Sequence, residues 1–148
     1  MSQIPFQYID HIADTRFIAY GSTLENVFEN AAAAMLFVIA DTAEVQSVTE
    51  FNIEIETIDL KNLLVDFLSE LLFLFDAEET VLKEASVTKI EMIRDGGEEK
   101  WKLTAATAGA PIDAVGPIFK TEVKAVTYNH IRVEKADGGY EAEVVLDL

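Results

Sequence analysis

Residues 51–64 read Phe51-Asn52-Ile53-Glu54-Ile55-Glu56-Thr57-Ile58-Asp59-Leu60-Lys61-Asn62-Leu63-Leu64, and the hydrophobic period changes inside them. Up to Thr57 apolar and polar residues alternate. Phe51, Ile53 and Ile55 fall on one side, and Asn52, Glu54 and Glu56 on the other. Successive side chains of a strand point to opposite faces, so Val48 to Thr57 reads as a half-buried strand. Beyond Asp59 the apolar residues recur at steps of three and four: Leu60, Leu63, Leu64, Phe67, Leu68, Leu71, Leu72 and Phe75. That spacing predicts a helix with a wide apolar stripe, and Asp59 is placed to cap it.

The same two periods organise the flanks. On the N-terminal side, Ile4 to Ile9 and Arg16 to Tyr20 read as strands around the polar turn Asp10 to Asp14, and Gly21 closes the second. Ser22-Thr23-Leu24-Glu25 reads as a capping box with Ser22 as the cap. Leu24, Val27, Phe28, Ala31, Met35 and Val38 then form a helical stripe, in which Ala31 to Ala34 permit close packing on a sheet. On the C-terminal side, Val87 to Ile93 and Trp101 to Thr107 flank Asp95-Gly96-Gly97, a hairpin signal. Ile131 to Glu134 and Tyr140 to Leu146 flank Asp137-Gly138-Gly139, a second one. Pro111, Gly116 and Pro117 break the chain between the hairpins. The expectation is an α+β fold, with two helices packed on one face of a largely antiparallel sheet, in a single domain over residues 1–148. Strand order does not follow from the pattern.

Composition narrows the function. Half of the 148 residues are hydrophobic, enough for a full core. Against 11 basic residues stand 27 acidic ones, a formal net charge of −16. A surface so negative repels phosphate backbones, so direct nucleic-acid binding is not expected; it suits a basic partner, a divalent cation or a saline cytoplasm. The chain has no cysteine, which excludes disulfides, zinc–thiolate sites and thiol nucleophiles. No signal peptide is evident, and the longest apolar run, Ala31 to Ala40, is about half of what a membrane span needs. A cytoplasmic protein with no membrane association is expected.

Three stretches carry candidate chemistry. The first is Asp10-His11-Ile12-Ala13-Asp14, an acidic turn with a histidine. The second is Lys124-Ala125-Val126-Thr127-Tyr128. The third is Asp147-Leu148, where a side-chain carboxylate stands beside the chain-end carboxylate. Two oxygen anions held together repel, and a hard cation such as Ca²⁺ or Mg²⁺ relieves that repulsion. The bland reading of Asp147, a solvated strand end, is the commoner one. His11 is a ligand, a general base or, more often for such a residue, a hydrogen-bonding member of its turn. Lys124 is an outward-facing strand lysine, the commoner case, or a buried functional ammonium. Asn129 and His130 fall near a strand break. No glycine-rich phosphate loop, paired histidines at metal spacing or serine elbow is present. Asp10, Asp14, Asp41 and Asp147 could hold a hydrolase pair among them, but sequence gives no distances.

At these stretches the chain resembles the archease family. The likeness runs through the Asp10–Asp14 turn, the strand ending Tyr20-Gly21, the alanine-rich first helix, the leucine-rich second helix around Leu68-Ser69-Glu70-Leu71, the Lys124–Tyr128 segment and the terminal Asp147-Leu148. Archeases are small acidic proteins that assist RNA-processing enzymes. The resemblance implies an accessory protein that promotes guanylylation and multiple turnover of the RtcB-type tRNA-splicing RNA ligase and is not itself an enzyme. It implies a divalent-metal site at Asp14, Asp147 and the terminal carboxylate of Leu148, holding calcium first and magnesium or manganese next. It implies that Lys124, with Asp10 and His11 beside the site, serves partner activation. A second client implied by the resemblance is a tRNA cytosine-5 methyltransferase, with the protein as a chaperone-like modulator. A rival of another class is a stand-alone metal-dependent hydrolase using Asp10, Asp14 and Asp147; another is a plain Ca²⁺-binding module. The family turn usually continues threonine–alanine–aspartate–isoleucine–glycine, where this chain has Ile12-Ala13-Asp14-Thr15-Arg16. The family often has a histidine directly after its tyrosine, where this chain has Asn129 and then His130.

Overall fold

The computed structural model describes residues 4–10 and 14–148, with the backbone alone of Asp10. Along the chain the elements are β1 (Phe6–Asp10), β2 (Asp14–Gly21), α1 (Leu24–Ile39), β3 (Thr49–Thr57), α2 (Leu60–Ala77), β4 (Thr80–Asp95), β5 (Glu98–Pro111), β6 (Ala125–Ala136) and β7 (Gly139–Asp147). This is the α+β arrangement of two helices and antiparallel strands that the periodicity predicts. The strands are shared between two sheets, of order β1-β2-β7-β6 and β3-β5-β4. α1 lies against β2 and β7 of the first sheet and β4 of the second; α2 lies against β6 of the first and β3 of the second. Each helix is therefore covered from two sides. This explains why α1 buries Ala32, Ala34, Leu36 and Ile39 as well as Val27, Phe28, Ala31 and Met35 of its predicted stripe, whose Leu24 and Val38 are partly buried. Phe28 of α1 and Phe67 of α2 meet at a ring separation of 6.1 Å, and both are fully buried.

Three local readings need adjustment. The cap of α1 is Thr23, not Ser22: Thr23 Oγ1 accepts from the Asn26 amide at 3.0 Å, and Asn26 Oδ1 accepts from the Ser22 amide at 3.0 Å. Glu25 does not reach back to close a capping box. Its Oε2 accepts the Ile90 amide of β4 at 3.0 Å, and Glu29 Oε2 accepts the Val87 amide at 2.8 Å. β4 is an edge strand, and these carboxylates occupy edge amides that would otherwise be open to pairing with another chain. The first hairpin is also longer than its alternation predicts. β4 begins at Thr80, and register shifts between Leu82 and Glu84 and between Val87 and Lys89 break the two-residue period by which sequence reading would have found its first half. The capping of α2 is as expected, with Asp59 Oδ1 accepting from the Asn62 amide at 2.8 Å.

Candidate functional site at the acidic end of the first sheet

β2 must bury Phe17 and Ala19, and it does so beside β7, whose Val144 and Ala142 stand opposite them in the ladder. That register carries to the strand ends and sets Asp14 against Asp147. Directly opposed residues of an antiparallel pair share a face, with about 5 Å between their Cβ atoms. Asp14 is half-buried and Asp147 exposed. Leu148 follows at once, its side chain packed against the core. The Lys124 amide donates to the Asp147 carbonyl at 2.8 Å, and Ala125 is registered against Asp147. The starts of β2 and β6 thus converge on the end of β7.

Of the residues singled out from sequence, the fold brings together Asp14, Asp147, Leu148 and Lys124. Lys124 precedes β6 by one residue and is exposed. Asp10 ends β1, its backbone registered against Thr15; its side chain and the whole of His11 lie outside the described residues. Asp41 sits beyond the end of α1, where its amide donates to the Ile118 carbonyl. Among the described residues no three His, Asp or Glu side chains are grouped to hold a metal. The side-chain oxygen donors that the ladder places at this end are those of Asp14 and Asp147, hard groups of the type that calcium and magnesium take.

Sequence reading missed the charges next to this end. Two residues along the same face from Asp14 stands Arg16, whose Nε lies 2.6 Å from Glu143 Oε2. Glu143 Oε1 accepts from Arg132 Nε at 2.9 Å. Arg132 Nη1 reaches on to Glu134 at 2.9 Å and Glu141 at 3.1 Å. Glu143 is only 7 % exposed although it lies on the outer face, because two guanidinium groups cover it. The signal was available as alternate positions 14 and 16, and 141, 143 and 147, but it is legible only once β2, β7 and β6 are known to be neighbours. The expected strand break is found: Thr127 pairs with Val145 and Arg132 with Glu143, so four residues, Tyr128 to Ile131, stand opposite Val144 alone. His130 takes a left-handed φ of 56° there, and Tyr128 and Asn129 are exposed.

The Archease protein family model matches residues 6–148. A protein archease of Methanosarcina mazei is 45 % identical over 143 residues, spanning 97 % of this chain and 95 % of that one. The solution structure of Methanobacterium thermoautotrophicum protein 1598 is 38 % identical, with TM-score 0.80, and the match covers 97 % of this chain and 99 % of that one. A crystal structure of an archease from Thermotoga maritima, described as a possible chaperone, matches at TM-score 0.56 over 100 % of this chain and 98 % of that one; at 20 % identity its likeness is one of fold alone.

Proposed function

The chain belongs to the archease family, and from that premise we propose that it is a cytoplasmic accessory protein that activates an RtcB-type tRNA-splicing RNA ligase and is not a catalyst itself. The observation that carries the reading is the ladder register that faces Asp14 with Asp147, one residue from the chain end. Two like charges directly opposed across a ladder are unfavourable by themselves, and a cation shared between them relieves the repulsion. Asp14, Asp147 and the terminal carboxylate of Leu148 would hold a divalent ion, calcium or magnesium before zinc, because every donor is a hard oxygen. When bound, that ion supplies positive charge to the phosphate chemistry of the partner.

The chain's own part is to hold and present. The Lys124 amide bond fixes the Asp147 backbone, while the exposed Lys124 ammonium remains available to a partner surface. A net charge of −16 favours encounter with a basic, RNA-binding enzyme and disfavours RNA itself.

The test is multiple-turnover ligation by the purified ligase with and without this protein, alongside calorimetric cation titration. Asp14→Ala, Asp147→Ala and a one-residue extension after Leu148, which displaces the carboxylate by about 3.3 Å, should each lose stimulation while staying folded. Lys124→Ala should lose stimulation with a stability change within about 0.5 kcal/mol, as for an exposed residue. Folded variants that all stimulate like the parent would sink the site. Co-purification with a tRNA methyltransferase in place of the ligase would move the client, and GTP turnover by the pure protein would overturn the non-catalytic role.

A further inference from the structure

At the C-terminal end of α1 the chain builds a groove that the acidic tip does not use. The segment after β5 turns at Gly116-Pro117 and is pinned to the end of α1: the Asp41 amide donates to the Ile118 carbonyl and the Lys120 amide to the Ile39 carbonyl, each at 2.9 Å. Phe119 bridges to Ala40 between these bonds, and its ring packs on Phe75 of α2 at 6.1 Å. The two hydrogen bonds that make this bridge, with the ring contact, hold Phe119 in place, yet it remains 48 % exposed. Val48, 66 % exposed, lines the same groove, together with Asp41, Glu44 and Lys120. The open volume between them is about 740 Å³, within the roughly 300–1,000 Å³ range of ligand-binding sites.

The chain itself shows which chemistry this surface accepts. Lys120 Nζ lies 3.2 Å from the centroid of the Phe37 ring, so a cation already rests on the neighbouring aromatic face. Phe119 offers a second partly exposed ring, in a groove that two carboxylates, Asp41 and Glu44, also line. We propose that this groove binds an extended segment of a partner protein that alternates arginine with apolar residues, the guanidinium groups meeting Phe119, Asp41 and Glu44 and the apolar side chains meeting Val48 and Pro117. Nucleic acid is a poor occupant because the chain's net charge of −16 repels phosphate. A second copy of this chain is a poor one because it brings the same charge of −16 to the contact. The groove is within reach of the acidic tip, since only residues 121–123 separate Lys120 from Lys124, a span of at most about 14 Å. Its occupancy does not depend on the tip's cation.

The probe is a blocked hexapeptide alternating leucine and arginine, titrated into ¹⁵N-labelled protein at low salt. Amide shifts should concentrate at Val48, Gly116, Ile118, Phe119 and Lys120. Phe119→Ser should weaken binding about fivefold, the scale of one exposed cation–π contact with its apolar area. Val48→Ser is the second variant, should Phe119→Ser fail to fold. Asp41→Asn with Glu44→Gln should weaken binding three- to tenfold, about what two exposed ion pairs contribute. Asp147→Asn should leave affinity unchanged, which separates this groove from the tip. Binding of the same peptide with glutamate for arginine at equal affinity overturns the proposal. So do spermine binding as tightly as the peptide, shifts confined to the Asp147 end, and self-association of the parent protein that Phe119→Ser abolishes.

Discussion

Glu143→Gln keeps the side-chain size and removes one charge, which makes its cost traceable. One oxygen accepts a hydrogen bond from Arg132 Nε at 2.9 Å, and the other forms an ion pair with Arg16, its Nε 2.6 Å away but not aligned for a hydrogen bond. Glutamine retains a single acceptor, so Arg132 keeps a neutral hydrogen bond while Arg16 loses its ion pair and faces an amide NH₂. Bonds to charged groups contribute about 1.5–3 kcal/mol and neutral ones about 0.5–1.5 kcal/mol. Both arginine side chains keep access to water, at 26 % and 29 % exposure, so solvent recovers part of what is lost. The net expectation is a loss of about 2 kcal/mol, less than the roughly 3–5 kcal/mol of breaking a fully buried pair. In a chain of this length that lowers Tm by about 4–8 °C. The comparison variant is Glu134→Gln, whose 60 % exposed side chain also contacts Arg132 but should change stability by no more than about 0.5 kcal/mol. The assay is urea unfolding followed by circular dichroism, completed as a double-mutant cycle with Arg16→Gln, where a coupling of about 1 kcal/mol is expected. A Glu143→Gln loss no larger than that of Glu134→Gln, or a coupling under about 0.3 kcal/mol, refutes the clamp.

Three further outcomes follow from local geometry. A Cβ on Gly109 would stand 2.0 Å from the Val81 carbonyl oxygen and 2.7 Å from Leu82 Cα, both backbone; Gly109→Ala should therefore cost about 3 kcal/mol or more in thermal unfolding. Gly116→Ala, with nothing within 4 Å, should stay within about 0.5 kcal/mol, and equal losses at both positions would refute the close strand approach. Thr23→Ala should destabilise by about 1 kcal/mol while Ser22→Ala leaves stability nearly unchanged, and the reverse order in urea midpoints would restore Ser22 as the cap. Tyr8, whose hydroxyl donates to the Ala34 carbonyl at 2.9 Å, has its phenol pushed up to about 12 by burial. Because the raised value favours the protonated form in the folded state, its contribution is present below the unfolded value of about 10 and is lost as pH rises from there through 12. Tyr8→Phe should flatten stability against pH in that window, and an unchanged slope would show that Tyr8 does not set it.

Both helices were legible because their stripes are long and nearly regular over Leu24–Ile39 and Leu60–Ala77. β3 was legible because its alternation is unbroken; Ile53 is buried and Asn52, Glu54 and Glu56 are exposed as the pattern requires. The first half of β4 was not, because two register shifts change which face each following residue occupies. The Thr23 cap was missed for a different reason. Ser22 and Thr23 are both competent caps and Glu25 completes a box only from Ser22, but Glu25 finds its partner 65 positions away at Ile90. A local motif gave way to a tertiary bond that no local pattern encodes.

The candidate site shows the same division at larger scale. Asp14 and Asp147 stood out individually, yet nothing in either stretch says that they meet. What brings them together is apolar: Phe17, Ala19, Ala142 and Val144 are all 0 % exposed, and Phe17 opposes Val144 while Ala19 opposes Ala142. A one-residue slip of β7 would place Asp147 against Thr15 or beyond the end of β2, and would turn Val144 and Leu146 toward solvent. The core forbids that slip, and because strand side chains alternate with a period of two, fixing the inner face also fixes the outer one. Asp14, Arg16, Glu143 and Asp147 are thereby aligned on the outer face by residues that never touch them. The burial of Phe17, Val144 and Leu146 thus sets the register that places two aspartates opposite each other at the ladder's end.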